Sequence, residues 1–257
     1  MKSPLRRANC SVHVVLLHCQ DALGIEAVKP LTRLLDARGL HPSPAKGREP
    51  LYAAPDVDAL VESRFTDWKA WYGGRPPEGL PISHSVTFPL LMDDFPPPAA
   101  HGAFSWDRYQ NGHPTVEVSA WVYEAPEARA MQERLGDCFL DVARQFYSLA
   151  RPAFGFVCDP KADADPWPYQ ETAGERKLAG LGWVAFFDPG YVEKYGRELL
   201  AGIPGYRVED LPDGGLLYQS RPSVVVQDKA AHKLWQQSVC QYLLAHGIQV
   251  EFIPKLL

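Results

Sequence analysis

The chain has 257 residues, with 26 Lys and Arg against 31 Asp and Glu and a formal net charge of −5. Such a length makes one large domain or two small ones, burying roughly 70–75% of the surface the unfolded chain exposes. Mild acidity argues against a nucleic-acid binder, which carries a basic face, and favours a partner that is itself basic.

The five cysteines fall at 10, 19, 138, 158 and 240, an odd number with no CxxC pair. That spacing reads as reduced thiols in a reducing compartment, not as a disulfide framework. Lys2, Arg6 and Arg7 precede the apolar run 12–17. The run is short, is interrupted by His13 and followed by His18, and lacks a small-residue cleavage site, so it reads as a strand and not an export signal. No stretch is long enough to span a membrane, and a cytoplasmic protein is expected.

In chain order, the first strand places Val12, Val14, Leu16 and His18 on one face and His13, Val15, Leu17 and Cys19 on the other. Ile25, Val28, Leu31, Leu34 and Leu35 then predict a helix ended by Gly39, with Pro30 either starting or kinking it. Residues 41–50 read as a loop, and Asp56 caps a short helix to about residue 65. The stretch 68–79 follows, Trp-Lys-Ala-Trp-Tyr-Gly-Gly-Arg-Pro-Pro-Glu-Gly. It reads as a rigid turn: Gly73 and Gly74 open backbone angles closed to other residues, and Pro76 and Pro77 stiffen the exit. In this reading Trp68, Trp71 and Tyr72 pack and Arg75 braces neighbouring loops.

Strands are predicted over 85–92, 103–109 and 115–123, the last two joined by the hairpin signal Asn111-Gly112. In the third, Val116, Val118, Ala120 and Val122 alternate with Thr115, Glu117, Ser119, Trp121 and Tyr123. The longest helix covers 126–149, on the spacing of Met131, Leu135, Cys138, Phe139, Val142 and Phe146. A strand at 153–158, a loop at 159–172 and a short helix at 174–179 follow. A buried strand at 181–187 comes next, then a helix opened by Asp188-Pro189. A hairpin turns at Asp213-Gly214, a helix covers 228–245, and a strand closes the chain at 248–253. From residue 115 the order resembles tandem split βαβ units, ferredoxin-like, in an α+β fold of mostly antiparallel sheet with helices packed on one face. A strand-helix arm at 10–66 precedes this body at about 84–255.

Metal, calcium and catalytic signatures are weak. On a strand His18 and Cys19 face opposite ways, so with His13 they do not converge on one ion. Counting an EF-hand from Asp159 puts Ala164 where Gly belongs and Gln170 where Glu belongs. No GxSxG or HExxH occurs, Cys138 lies on an apolar helical stripe, and Gly180-Leu181-Gly182 is too short for a phosphate fingerprint. No cofactor is implied. Protein binding remains. Trp167 and Tyr169 sit in a proline-stiffened loop with Asp163, Asp165 and Glu171, where rigid rings give contact area and carboxylates attract a basic partner. The bland alternative is a loop that buries its own rings. Asp93 and Asp94, beside Phe95, form a second acidic candidate.

Trp-Tyr-Gly-Gly-Arg-Pro-Pro at 71–77 resembles the signature of immunity protein family 52 of bacterial polymorphic toxin systems. The segments 180–188 (Gly-Leu-Gly-Trp-Val-Ala-Phe-Phe-Asp) and 211–219 (Leu-Pro-Asp-Gly-Gly-Leu-Leu-Tyr-Gln) are similar to type VI secretion immunity proteins. The resemblance implies an antitoxin that binds a cognate effector, a DNase of the restriction-endonuclease-like class, with no catalytic residues of its own. The readings set against it are an enzyme using Cys158 or a His in a pocket, and an adaptor or chaperone for a secreted effector.

Overall fold

The computed structural model describes residues 10–21, 24–45, 49–71, 82–95, 100–109, 114–123, 127–163, 175–178 and 181–248. The first half comprises β1 (Cys10–Cys19), α1 (Ile25–Asp36), β2 (Leu40–Pro42), α2 (Val57–Trp71), β3 (Ile82–Met92), β4 (Ala100–Tyr109) and β5 (Thr115–Val122). Then come α3 (Ala128–Ala150), β6 (Pro152–Cys158), β7 (Val184–Phe187), α4 (Pro189–Tyr195), α5 (Arg197–Ala201), β8 (Arg207–Asp210), β9 (Leu216–Gln219) and α6 (Lys229–Ala245).

The strands form one nine-stranded sheet in the order β2-β3-β4-β5-β1-β6-β7-β9-β8, and every neighbouring pair is antiparallel. The fold is α+β. β5 and β6 both run against β1, so they are parallel to each other with β1 between them. With α3 as the crossover, this is a split βαβ unit. β7 and β8, joined through α4 and α5, flank β9 in the same way. The first strand is no appendage, because Val14 lies opposite Val118 on one side and Val157 on the other.

One face of the sheet carries Val12, Val14, Leu16, Phe88, Phe104, Trp106 and Phe186, all at most 1% exposed, and packs on α1, α2 and α3. This is the helical layer expected from sequence. Helices on one face alone were expected; a second layer forms over the C-terminal half of the other face. There Leu17, Phe154, Phe156, Phe187, Leu216 and Tyr218 pack on Tyr191 of α4, Leu200 of α5 and Val239 and Leu243 of α6. Burying a side chain of this size stabilises the fold by about 1.5–3 kcal/mol.

Local signals explain most element ends. Asp188 caps α4 by accepting from Tyr191 N at 2.8 Å, with Pro189 at the first helical position. Asp228 caps α6 through Ala230 N and Ala231 N. Gly214, at φ +91°, turns the β8–β9 hairpin. α1 runs unbroken through Pro30, whose missing N–H removes only the bond to the Glu26 carbonyl.

Four further expectations are corrected. α2 continues to Trp71, so Trp68 and Trp71 belong to a helix and not to a turn. Tyr72, Gly73, Gly74, Arg75 and Pro76 lie outside the described residues, as do Asn111-Gly112 and the strand expected after Ile248. In the described part of 174–179 (175–178), residues 175 and 176 form a turn and none is helical. His18 has φ 53°; this turns Cys19 into the core of Val14 and Leu16, where strict alternation predicts the opposite face. Last, the 41–50 loop opens with the end of the edge strand β2.

Candidate functional site: a polar and aromatic sheet face

The alternation of β5 creates a chemically varied surface. Val116, Val118, Ala120 and Val122 enter the core. Thr115, Glu117, Ser119 and Trp121 therefore point to the opposite face, where the second helical layer gathers no described residue of β5. Register brings neighbours beside them. His13 of β1 lies opposite Ser119, His101 of β4 opposite Trp121, and Asp107 of β4 opposite both Thr115 and Ser85.

His13 Nδ1 is 3.2 Å from Glu117 Oε1 and meets the Trp121 ring edge-on at 5.5 Å. His101 stacks on Trp121 at 4.9 Å and on Tyr123 at 5.2 Å, with the Tyr123 hydroxyl 2.5 Å from its Nδ1. Burial holds the His101 pKa below its ordinary value and raises that of Tyr123, so the imidazole is neutral and the phenol protonated at pH 7. The Ser85 hydroxyl donates to Asp107 Oδ1 at 2.5 Å. Burial first, and then the nearby Glu117 charge, push the Asp107 pKa up to about 6 against the bond from Ser85. Each imidazole is thus tied to a carboxylate or a phenol, and no described Ser or Thr hydroxyl or Cys thiol is bonded to either, as an activated nucleophile of those types requires.

The cysteines are unsuited to nucleophilic work. Cys158 is 1% exposed, and burial drives its thiol well above the ordinary value. Cys10 is pushed up to about 11 by burial, with Asp159 adding to it. A thiolate is the reactive form, and these sites disfavour it. Among the described residues no group of His, Cys, Asp and Glu side chains is arranged to hold a metal ion.

The residues singled out from sequence are placed as follows. Asp163 is buried at the root of the 159–172 loop. Its carboxylate accepts from Arg221 Nη1 at 2.8 Å and Nη2 at 3.0 Å, and its side chain has no solvent exposure. It does not present charge to a partner; it ties the turn at 159–163 to Arg221. Gln132 bonds Asp159 at 2.7 Å, and the His232 ring nitrogen Nε2 donates to the Ala162 carbonyl at 3.0 Å. Asp165, Trp167, Tyr169 and Glu171 lie outside the described residues. Arg221 and His232 also line a groove of about 510 Å³, with Tyr206, Pro222, Val225 and Trp235 as its apolar walls. Asp93 and Asp94 are exposed on the turn after β3, where Asp93 Oδ2 lies 3.0 Å from His41 Nε2 and Asp36 Oδ1 2.7 Å from His41 Nδ1. The ring face and these acidic turns are not one site. The period-two pattern of β5 was the available signal for the ring face; what joined it to Asp107, His101 and His13 was strand register.

No family model matches the chain, and no curated protein is significantly similar to it.

Proposed function

We propose that this protein is an immunity protein, a cytoplasmic antitoxin that binds and neutralises one secreted toxin effector of a type VI or polymorphic toxin system. The effector class that fits best is a restriction-endonuclease-like DNase, and inhibition is stoichiometric. The observation that carries this reading is the sheet face on which Trp121, Tyr123 and His101 lie among Asp107 and Glu117, none of them gathered into the second helical layer. Aromatic side chains at the centre of a patch are what protein interfaces select, and carboxylates complement a nuclease's phosphate-binding surface. The net charge of −5 agrees, as does the likeness of residues 71–77 to the family 52 signature. No helix among the described residues is long and apolar enough to cross a membrane. The rival based on Cys158 is disfavoured by the burial of that thiol.

The test is co-purification with restriction-endonuclease-like toxin domains encoded in the source genome, followed by DNase assays at increasing ratios of this protein. The expected result is a one-to-one complex and loss of nuclease activity at equimolar addition. Failure to bind, or binding that leaves the nuclease active, rejects the reading. An adaptor or chaperone would bind without inhibiting.

A further inference from the structure

We infer that the β1–β5–β4 sheet face docks the cationic side chains of a basic partner, receiving a guanidinium or ammonium group between Asp107 and Glu117. This deepens the antitoxin reading and rests on it. Register sets the two carboxylates on adjacent strands as diagonal neighbours on one face, because Asp107 lies opposite Thr115 and Glu117 is two residues further on. Such diagonal positions are about 7–8 Å apart at Cα, a gap that one guanidinium spans. Each carboxylate has one described side-chain partner, Ser85 for Asp107 and His13 for Glu117, and no described Lys or Arg reaches either.

The energetics point the same way. Asp107 is held where its ionised form is costly, and Glu117 adds to that cost. A cation placed between them reverses the second cause and offsets the first. The Trp121 ring, which meets edge-on the same His13 that holds Glu117, gives a flat apolar wall for the methylene stem of Lys or Arg. The titratable groups on this described face are His13 from β1, His101 and Asp107 from β4, Glu117 from β5 with Tyr123 just beyond it, and Cys158 from β6. With His101 kept neutral by burial, Asp107 and Glu117 dominate the charge of the face near neutral pH. Acidification through about 6 removes the Asp107 charge, so affinity for the cation falls.

The experiment titrates tetra-arginine amide into the full chain and follows the Trp121 indole N–H resonance by NMR, with tetra-citrulline amide as the uncharged isostere. The expected result is a saturable shift near neutral pH, at least about tenfold weaker with the citrulline peptide. Glu117→Gln and Asp107→Asn should each weaken the arginine peptide by roughly fivefold or more. Acidification to about pH 5 should weaken it similarly in the parent but little in Asp107→Asn. Equal binding by the parent and both variants, or no shift at Trp121, overturns the inference. Near-UV circular dichroism reports whether each variant keeps its fold, and Glu117→Gln decides the matter if Asp107→Asn does not. A toxin domain that binds the double variant as tightly as the parent rejects this surface and leaves the antitoxin reading standing. A parent chain that binds no toxin rejects that reading, and the peptide titration still decides the face.

Discussion

The two halves of the sheet meet the burial problem in different ways. β6 and β7 are buried at every residue, because α3 covers one face and α4, α5 and α6 the other. β5 is buried on the side facing α3, while Thr115, Glu117 and Trp121 on its other side remain half-buried. Both halves share one antiparallel ladder, so backbone pairing does not distinguish them. Side-chain chemistry does. An apolar face must be covered by another layer, whereas a face of hydroxyls, imidazoles and carboxylates satisfies its polar atoms within the sheet and leaves the rings for a partner.

The comparison is broken most directly by truncating one large ring on each side. Phe187→Ala, in the doubly covered half, should cost about 3–5 kcal/mol in urea unfolding, as large core deletions do. Trp121→Ala, on the half-buried face, should cost about 1 kcal/mol. Equal losses would mean that the two halves are not different. Next comes Asp163→Ala, which strands the Arg221 guanidinium at 14% side-chain exposure. A loss of roughly 3 kcal/mol is expected, and a change under about 0.5 kcal/mol would show that the loop root is not anchored by this pair.

Asp107→Asn should have the opposite sign. The raised pKa means that the folded state binds the proton more tightly than the unfolded chain, whose Asp titrates near 3.8. The contribution of Asp107 is therefore fully present below about 3.8 and is lost as pH rises through about 6. A difference of about 2 in pKa corresponds to at most ~3 kcal/mol. Partial solvent contact reduces this, so the Asn variant should be about 1–2 kcal/mol more stable than the parent near pH 8 and no more stable near pH 3. Thermal melts across that range decide it. The smallest effect is at His41, which the carboxylate of Asp36 and then that of Asp93 hold above its ordinary 6.5 against the opposing effect of burial. Its stabilisation is present below about 6.5 and fades as pH rises through the higher folded value. An NMR titration showing His41 at or below 6.5 would remove the basis for this.

Local chemistry made much of the fold legible. The Met131–Phe146 stripe marked α3, Asp188-Pro189 marked the start of α4, and Asp213-Gly214 marked the β8–β9 turn. These signals act over three or four residues, the range of a cap, a turn or one helical repeat. The α2 helix was underestimated because Trp68 and Trp71 read as turn residues ahead of Gly73-Gly74, although they continue the helix from Val57. For the candidate site the alternation in β5 was visible, but Asp163 was misjudged as a surface charge. Its partner Arg221 lies 58 residues away, and no local pattern signals such a pair.

By itself, then, the sequence determined most of the segments that became helix or strand, β2 and the end of α2 apart, and which face of β5 was apolar, because backbone preference and side-chain period act over a few neighbours. Only the tertiary structure decided that β1 lies between β5 and β6, that α4, α5 and α6 form a second layer, and that Asp107, Glu117, His13 and His101 share one face. Those outcomes depend on strand order and register, which arise from packing between residues about a hundred positions apart, as with His13 and Glu117.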